Sequence, residues 1–157
     1  MALLTGRTQI FSGDTSIVDT AQKHPLGTRA MDPDGNEYIY MQGVASCVAG
    51  DWVFFDENHV TTRTVANAQG RIAIAMAAIA ATTSFGWFQV YGKNTIALVL
   101  SGFVDDGKIY LTSTAGSVDD SDVSGDFVVG AIGRSAVSGG VATVELNYPI
   151  VQDTAFD

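Results

Sequence analysis

The segment Asp120-Ser121-Asp122-Val123-Ser124-Gly125 contains the most specific arrangement of chemically competent side chains in the chain. Oxygen-bearing residues at alternate positions before a glycine are typical of the first half of a calcium-binding loop. The twelfth position, where such a loop needs a glutamate, is Ala131, and a strand-like sequence follows instead of a helix. Asp120, Asp122 and Ser124 are therefore candidate calcium ligands, but turn formation also accounts for them, and we predict no bound metal or cofactor.

Other catalytic residue types occur without the spacing that catalysis needs. His24 and His59 lie far apart in sequence, and Cys47 has no base near it. The acid pairs Asp105-Asp106 and Asp119-Asp120 lie in glycine-containing turns, where carboxylates mainly solvate the loop. The chain contains no G-x-S-x-G nucleophile elbow, no phosphate-binding loop and no G-x-G-x-x-G fingerprint. We therefore predict that the chain is not an enzyme.

The aromatic residues allow a binding function as an alternative. Trp52, Trp87 and the five tyrosines could stack on sugars or bases. Most of them lie in strand-like segments between apolar neighbours, which favours packing in a core. A carbohydrate-binding β module that uses Trp52 or Trp87 therefore stays open beside the core interpretation.

Composition limits the class of protein. The chain has 157 residues, enough for one domain, and 46% of them are hydrophobic, which is too many for a disordered chain. One cysteine excludes a disulfide scaffold, and a net charge of −9 argues against nucleic-acid binding. The most apolar run, 72–81, is too short to cross a bilayer, and residues 1–7 do not resemble a secretory signal. We expect synthesis in the cytoplasm and no membrane partner.

Charge is distributed unevenly along the sequence. Residues 1–30 carry three basic and two acidic side chains, whereas residues 101–157 carry two basic and nine acidic ones. An acidic surface keeps a protein soluble and repels other polyanions. The distribution also fits a near-neutral N-terminal segment that docks on a partner while an acidic body faces water.

The first thirty residues lack a clean helix or strand period, since their apolar residues are sparse and separated by Thr, Ser, Gly and Asp. Such a segment buries little against itself. We predict that residues 1–30 form an extended arm and residues 31–157 a β-rich body. The arm residues predicted to contact a partner are Leu3, Leu4, Arg7, Ile10, Phe11, Ile17 and Val18.

From residue 37 onward, short segments rich in aromatic and β-branched residues alternate with turn signals. The turn Asp32-Pro33-Asp34-Gly35-Asn36 is one such signal. The pattern predicts strands over 37–44, 52–56, 86–92, 95–100, 108–112, 126–132 and 141–146, with a hairpin joining 86–92 to 95–100. We therefore predict an all-β fold, an antiparallel sandwich or barrel of about eight or nine short strands.

The alanine-rich run that follows Gly70 is ambiguous. Alanine and methionine favour a helix, but alternating isoleucine and alanine also suits a buried strand, and the break at Phe85-Gly86 favours the strand. Small residues allow close packing between copies of a protein. We therefore predict an oligomer interface at Ile72, Ile74, Met76 and Ile79.

Three segments in succession carry a family resemblance. Gly50-Asp51-Trp52-Val53, then 70–76 (GRIAIAM), then 86–92 (GWFQVYG) resemble the head-decoration, or cement, proteins of tailed bacteriophages. The later segments Ile109-Tyr110-Leu111-Thr112 and Val128-Val129-Gly130-Ala131 fit the same pattern. The similarity covers roughly residues 26–148, and the long arm departs from the shortest members of that family.

The resemblance implies a non-enzymatic virion protein on the outer capsid surface. Such proteins are usually trimers that clamp the junctions between major capsid subunits, and their N-terminal arm lies on the shell or reaches a neighbouring copy. The expected partners are thus the major capsid protein and further copies of this chain. The alternatives are another phage structural module, such as a tail, spike or head-fibre component, and the carbohydrate-binding module.

Overall fold

The computed structural model describes residues 13–152, and this part of the chain is built from β-strands joined by turns and loops. The prediction of an all-β fold is confirmed. In chain order the strands are β1 (Arg29–Met31), β2 (Glu37–Gln42), β3 (Trp52–Phe55), β4 (Thr61–Arg63), β5 (Gly70–Ala75), β6 (Phe85–Leu98), β7 (Lys108–Leu111), β8 (Val118–Asp119), β9 (Phe127–Gly133) and β10 (Val141–Val151).

The strands form one strongly branched antiparallel sheet. Its main path runs β1-β2-β6-β5-β10-β9-β7-β8, and β3 pairs with the free edge of β5 and carries β4. β10 also pairs with the second half of β6. Because the sheet folds over itself, the architecture is sandwich-like, and its apolar side chains fall into three clusters.

The ambiguous run after Gly70 is a strand, β5, which then leaves the sheet at Met76. Its last four residues, 72–75, are buried on both faces, as in a strand at the centre of a layered fold. Ile72 and Ile74 lie in the largest cluster, the main core, whereas Ala73 and Ala75 lie in the second core. The large isoleucine side chains therefore fill the main core on one face of β5. The small alanine side chains on the other face leave room for the second core to pack closely against the strand.

The main core lies between β5 with β3 on one side and β10, β9 and β7 on the other. The second core lies between β5 and the β2–β6 pair. A third group, the aromatic cluster, covers the outer face of β2 and β6. The buried members of these clusters include Trp52, Phe103, Ile109, Leu111 and Leu146 in the main core, Ile39, Met41 and Phe88 in the second core, and Tyr38, Tyr40 and Trp87 in the aromatic cluster.

The predicted hairpin between 86–92 and 95–100 is wrong, because both segments belong to the single strand β6. The two halves of β6 have different partners, which explains its length. The first half pairs with β2 and β5, and the second half pairs with β10. Gly92 has a positive φ of 93° and lies at an irregular point of this strand, not in a reversing turn.

A buried ion pair joins the corner where β3, β4 and the β7–β8 loop meet. The carboxylate of Asp51 is fully buried and accepts two hydrogen bonds from Arg63, from Nε at 2.7 Å and from Nη2 at 3.0 Å. It also accepts a bond from the backbone N–H of Val48 at 3.0 Å. Arg63 in turn donates to the Ala115 carbonyl at 2.8 Å. A side chain at Gly116 would collide with the Asp51 carboxylate, so this corner also requires a glycine.

We predict that Asp51→Asn lowers the free energy of unfolding by about 3 kcal/mol, because breaking one partner of a buried pair leaves the other charge uncompensated. The value lies at the lower end of the usual range, since Arg63 is 26% exposed and can turn toward water. Urea unfolding followed by tryptophan fluorescence measures the change. Asp106→Asn, which breaks an exposed pair with Arg134, serves as the control and should leave stability unchanged. Equal effects of the two substitutions would contradict this assignment.

Candidate functional site

The N-terminal segment, residues 13–28, is fastened to the body at Asp19. The backbone of Asp19 exchanges two hydrogen bonds with Phe85 at the start of β6, both 2.9 Å long. The Asp19 carboxylate is buried, and its Oδ2 accepts a hydrogen bond from the Tyr40 hydroxyl at 2.7 Å. A charged residue that is buried and paired in this way fixes the position of the segment that carries it.

The residues after Asp19 continue this attachment. The Lys23 N–H donates to the Tyr40 hydroxyl at 3.2 Å, and the Lys23 ammonium lies 3.3 Å from the Asp19 carboxylate. The His24 ring packs edge-on against Tyr40 and lies 5.6 Å from the ring of Trp87. The segment thus covers the aromatic cluster and joins the sheet as β1. Since β1 spans Arg29–Met31, the predicted boundary at residue 30 falls inside a strand.

The predicted arm residues fall into two groups. Ile17 and Val18 lie directly before the Asp19 anchor and are 51% and 38% exposed. The remaining ones, Leu3, Leu4, Arg7, Ile10 and Phe11, lie outside the described residues. The anchor therefore presents two apolar side chains to the surroundings at the point where the chain meets the body.

The residues predicted to form an oligomer interface lie inside a single chain. Ile72, Ile74 and Ile79 are at most 1% exposed and pack in the main and second cores. Met76 is partly buried beside the aromatic cluster. Fully buried side chains offer no surface to a second copy, so Ile72, Ile74 and Ile79 cannot form an interface between copies. The role of Met76 in such an interface stays a prediction.

The side chains of the two tryptophans are also buried. Trp52 is completely buried in the main core, and its Nε1–H donates to the Leu98 carbonyl at 3.1 Å. Trp87 is 6% exposed and packs against Tyr40 and His24. Neither ring presents a face on which a sugar could stack.

The candidate calcium residues do not converge. Asp122 and Ser124 are exposed, whereas Oδ2 of Asp120 accepts a hydrogen bond from the Val104 N–H at 3.1 Å. The nearby Asp126 is buried and accepts a bond from the Asn67 N–H at 2.7 Å. Within residues 13–152 no group of three or more His, Cys, Asp or Glu side chains is placed to hold a metal ion.

Cys47, the single cysteine of the chain, is buried in the second core. Burial, together with the negative charge of Asp51, raises the pKa of its thiol to about 12. A thiol with such a pKa remains protonated at neutral pH and is a poor nucleophile. Cys47 is therefore a structural residue.

The most developed surface feature was not predicted from the sequence. It is the bend of β6 at Tyr91-Gly92-Lys93, which is held from both sides. From the interior, the buried Gln89 side chain donates to the carbonyls of Tyr91 and Lys93, each at 3.1 Å, and accepts a bond from Asn94 at 2.9 Å. From the outside, Oδ1 of Asn36 accepts a bond from the Lys93 N–H at 2.9 Å.

Tyr148 supports the same bend from β10. Its ring centroid lies 5.3 Å from that of Tyr91, and its hydroxyl donates to the Glu37 carboxylate. This hydrogen bond, with burial, raises the pKa of Tyr148 to about 12. Tyr148 also has a φ of 48°, a conformation that costs a bulky residue about 1–3 kcal/mol and that the surrounding contacts must hold. Both rings remain accessible, at 39% for Tyr91 and 48% for Tyr148.

Two grooves flank this bend and share Tyr91, Gly92 and Lys93. One has a volume of about 510 Å³ and is bounded on its far side by Arg134, Thr143, Glu145 and Asn147. The other, of about 620 Å³, extends toward the β1–β2 turn at Asn36. Both volumes lie in the range of small-molecule binding sites.

Comparisons with protein-family models, with curated proteins and with solved structures find no match to this chain. In the part of the chain that the structure describes, no helix is long and apolar enough to cross a membrane.

We predict that Cys47 does not react with a thiol reagent at pH 8 while the protein is folded. Because the pKa of the buried thiol is raised to about 12, almost no thiolate forms until the chain unfolds and the pKa returns to its ordinary value. Reaction with Ellman's reagent, followed with and without urea, measures this. Complete modification of the folded protein at the rate of a free thiol would contradict the assigned burial.

A second prediction concerns the anchor. Tyr40→Phe removes the hydroxyl that binds both Asp19 and Lys23, so trypsin should cleave the native protein after Lys23 about fivefold faster or more. Timed digestion with mass-spectrometric assignment of the fragments measures the rate. Tyr38→Phe is the matched control, because its hydroxyl binds Asp32 in the β1–β2 turn and not the N-terminal segment. Equal cleavage rates in the two variants would show that Tyr40 does not hold this segment.

Proposed function

We propose that this chain is a non-enzymatic structural protein of a phage particle that binds the outside of the capsid and cements the junctions between major capsid subunits. The observation that carries the proposal is the N-terminal segment, anchored at Asp19 with the exposed apolar residues Ile17 and Val18 directly before the anchor. Because the segment is hydrogen-bonded to the body at Asp19, a capsid contact made by the residues before Asp19 would hold the whole body on the capsid.

The segments that resemble decoration proteins form one contiguous unit, which supports the proposal. The Gly50–Val53 segment leads into β3, the GRIAIAM segment is β5, and the GWFQVYG segment is the first half of β6. These strands are neighbours, since Trp52 pairs with Ile74 and Ile74 pairs with Gln89. Residues that resemble a family in sequence and also lie together are better evidence than scattered matches.

The charge distribution gives further support. Nine acidic and two basic residues lie within residues 101–157, whereas the first thirty residues are close to neutral. An acidic body repels nucleic acid and limits nonspecific adhesion, as suits the exterior of a shell. Such a protein would be made in the host cytoplasm and would have no nucleic-acid or membrane partner.

Truncation of the N terminus tests the attachment. Deletion of residues 2–18, which leaves Asp19 and the body in place, should abolish co-sedimentation with capsids that have been stripped of this protein. Asp122→Asn, an exposed substitution on the body, is the control and should bind as the unaltered chain does. Circular dichroism and thermal unfolding must show that the truncated protein remains folded. Undiminished capsid binding by the folded truncation would contradict the role of the arm, and binding to tails in place of shells would favour another structural module.

Self-association is a separate part of the proposal. Closed cyclic symmetry is common among homo-oligomers, and we expect a trimer. Light scattering in solution should give three times the 16.5 kDa of one chain. Ile74→Ala should lower the free energy of unfolding of the single chain without selectively weakening its association, because this side chain lies in the core of one chain. A mass of one chain at all concentrations would show that trimers, if they occur, form only on the capsid.

A further inference from the structure

We propose that the groove beside Tyr91, between β6 and β10, binds a saccharide. The inference is independent of the proposed capsid attachment, because it involves a different surface from the N-terminal segment. The groove lies beside the bend at Tyr91-Gly92-Lys93. There, the buried Gln89 side chain binds the backbone of two exposed residues, the aromatic Tyr91 and the cationic Lys93.

The bend is fixed before any ligand arrives. Gln89 and Asn94 are each 1% exposed. The Gln89 amide donates to the carbonyls on both sides of Gly92, and Asn94 donates to the Gln89 side-chain oxygen and so orients that amide. Asn36 occupies the space next to Gly92 that any larger side chain would need. Irregular strand positions of this kind commonly redirect a side chain toward a functional surface. The backbone on both sides of Gly92, and with it the start of the Tyr91 side chain, is thus held by hydrogen bonds from within and from outside.

Tyr148, which does not line this groove, supports the Tyr91 ring from β10. Its strained backbone, its bond to Glu37 and its contact with Tyr91 keep the two rings in a defined arrangement. The exposed Tyr91 ring, held in this way, offers apolar area at little entropic cost on binding. Strained conformations such as that of Tyr148 concentrate at functional sites.

Next to Tyr91, the groove is lined by polar groups of β6 and of the paired strand β10 that are available to a ligand. Among the described residues, the side chains of Lys93, Thr143 and Asn147 make no hydrogen bond, although all three line the groove. Arg134 and Glu145 form an ion pair in which Nε donates to Oε2 at 2.9 Å, and Arg134 also binds Asp106 at 2.7 Å. The second oxygen of Glu145, Oε1, therefore remains as an acceptor.

This set of groups matches the chemistry of a sugar ring. A pyranose presents a face of C–H groups that packs on an aromatic ring and a rim of hydroxyls that both donate and accept. Lys93 donates, Glu145 accepts, and Thr143 and Asn147 do both. Nucleic acid also stacks on aromatic rings, but the net charge of −9 and the nearby carboxylates disfavour it. A lipid would leave these polar groups without partners.

Saturation-transfer NMR on the full chain tests the inference. The probes are the methyl glycosides of glucose, galactose, mannose, N-acetylglucosamine and glucuronic acid, with β-linked and α-linked tetrasaccharides of each, at millimolar concentration. We expect transfer to the C–H protons of at least one probe, followed by titration calorimetry to obtain its affinity. The absence of transfer from every probe would overturn the proposal.

Matched variants then locate the site. Tyr91→Ala should weaken binding about tenfold or more, whereas Tyr91→Phe should retain it, because stacking needs the ring and not the hydroxyl. Asn147→Ala should also weaken binding and keeps the test decisive if the tyrosine variant does not fold. Phe127→Ala, an exposed aromatic residue on β9 that does not line the groove, is the control.

The outcomes separate this proposal from capsid attachment. Deletion of residues 2–18 should leave saccharide affinity unchanged, and Tyr91→Ala should leave capsid binding unchanged. Saccharide binding that is insensitive to both Tyr91→Ala and Asn147→Ala would place the sugar elsewhere and overturn the assignment. Lys93→Gln should reduce affinity selectively for the glucuronic acid probe, whose carboxylate the ammonium would pair with.

Discussion

The buried charge of Asp51 constrains how the strands of this molecule can meet. This carboxylate has no access to water, and the groups that pair it come from three separate places in the chain: the Val48 turn, Arg63 on β4 and, through Arg63, the Ala115 carbonyl. The backbone of the same residue accepts a hydrogen bond from Ala75, where β5 ends. Bringing these groups together closes the main core around Trp52 and sets β5 between two apolar layers. The edge pairings of β5 with β3, β6 and β10 then define the rest of the sheet.

The two surfaces for which we propose a function, the N-terminal segment and the Tyr91 bend, are connected to the sheet in different ways. The N-terminal segment is attached from outside, through Asp19 and Tyr40, to the far face of the β2–β6 pair. The Tyr91 bend is part of β6 itself and is held from within by Gln89 and Asn94. One surface is therefore carried by a segment that hydrogen-bonds to the sheet from outside, whereas the other is part of a sheet strand. A protein that holds a shell with one surface and meets small ligands with the other would use both properties.

Much of the fold could be predicted from local sequence, because the information lies in alternation and turn chemistry. The isoleucine–alanine pattern of β5 and the Asp32–Asn36 turn are both of this kind, and the structure confirms the strand and the turn. Long-range pairing could not be read in the same way. Gly92 produces the same local pattern in a hairpin and in a bend of one strand, and only the presence of β10 beside β6 decides between them. For the same reason, the exposed position of Tyr91 and the pairing of Asp51 with Arg63 were not predictable, and the apolar side chains of β5 were assigned to an interface although they fill the core.

A reconstruction by electron cryomicroscopy of phage particles that carry this protein would locate the chain on the particle. If the chain cements the capsid, we expect density for the β body on the outer face of the shell, above the junctions between major capsid subunits, with the N-terminal segment running from Asp19 onto the shell. Density for this chain at the tail or inside the shell, or none on the outer surface, would rule out the proposed attachment.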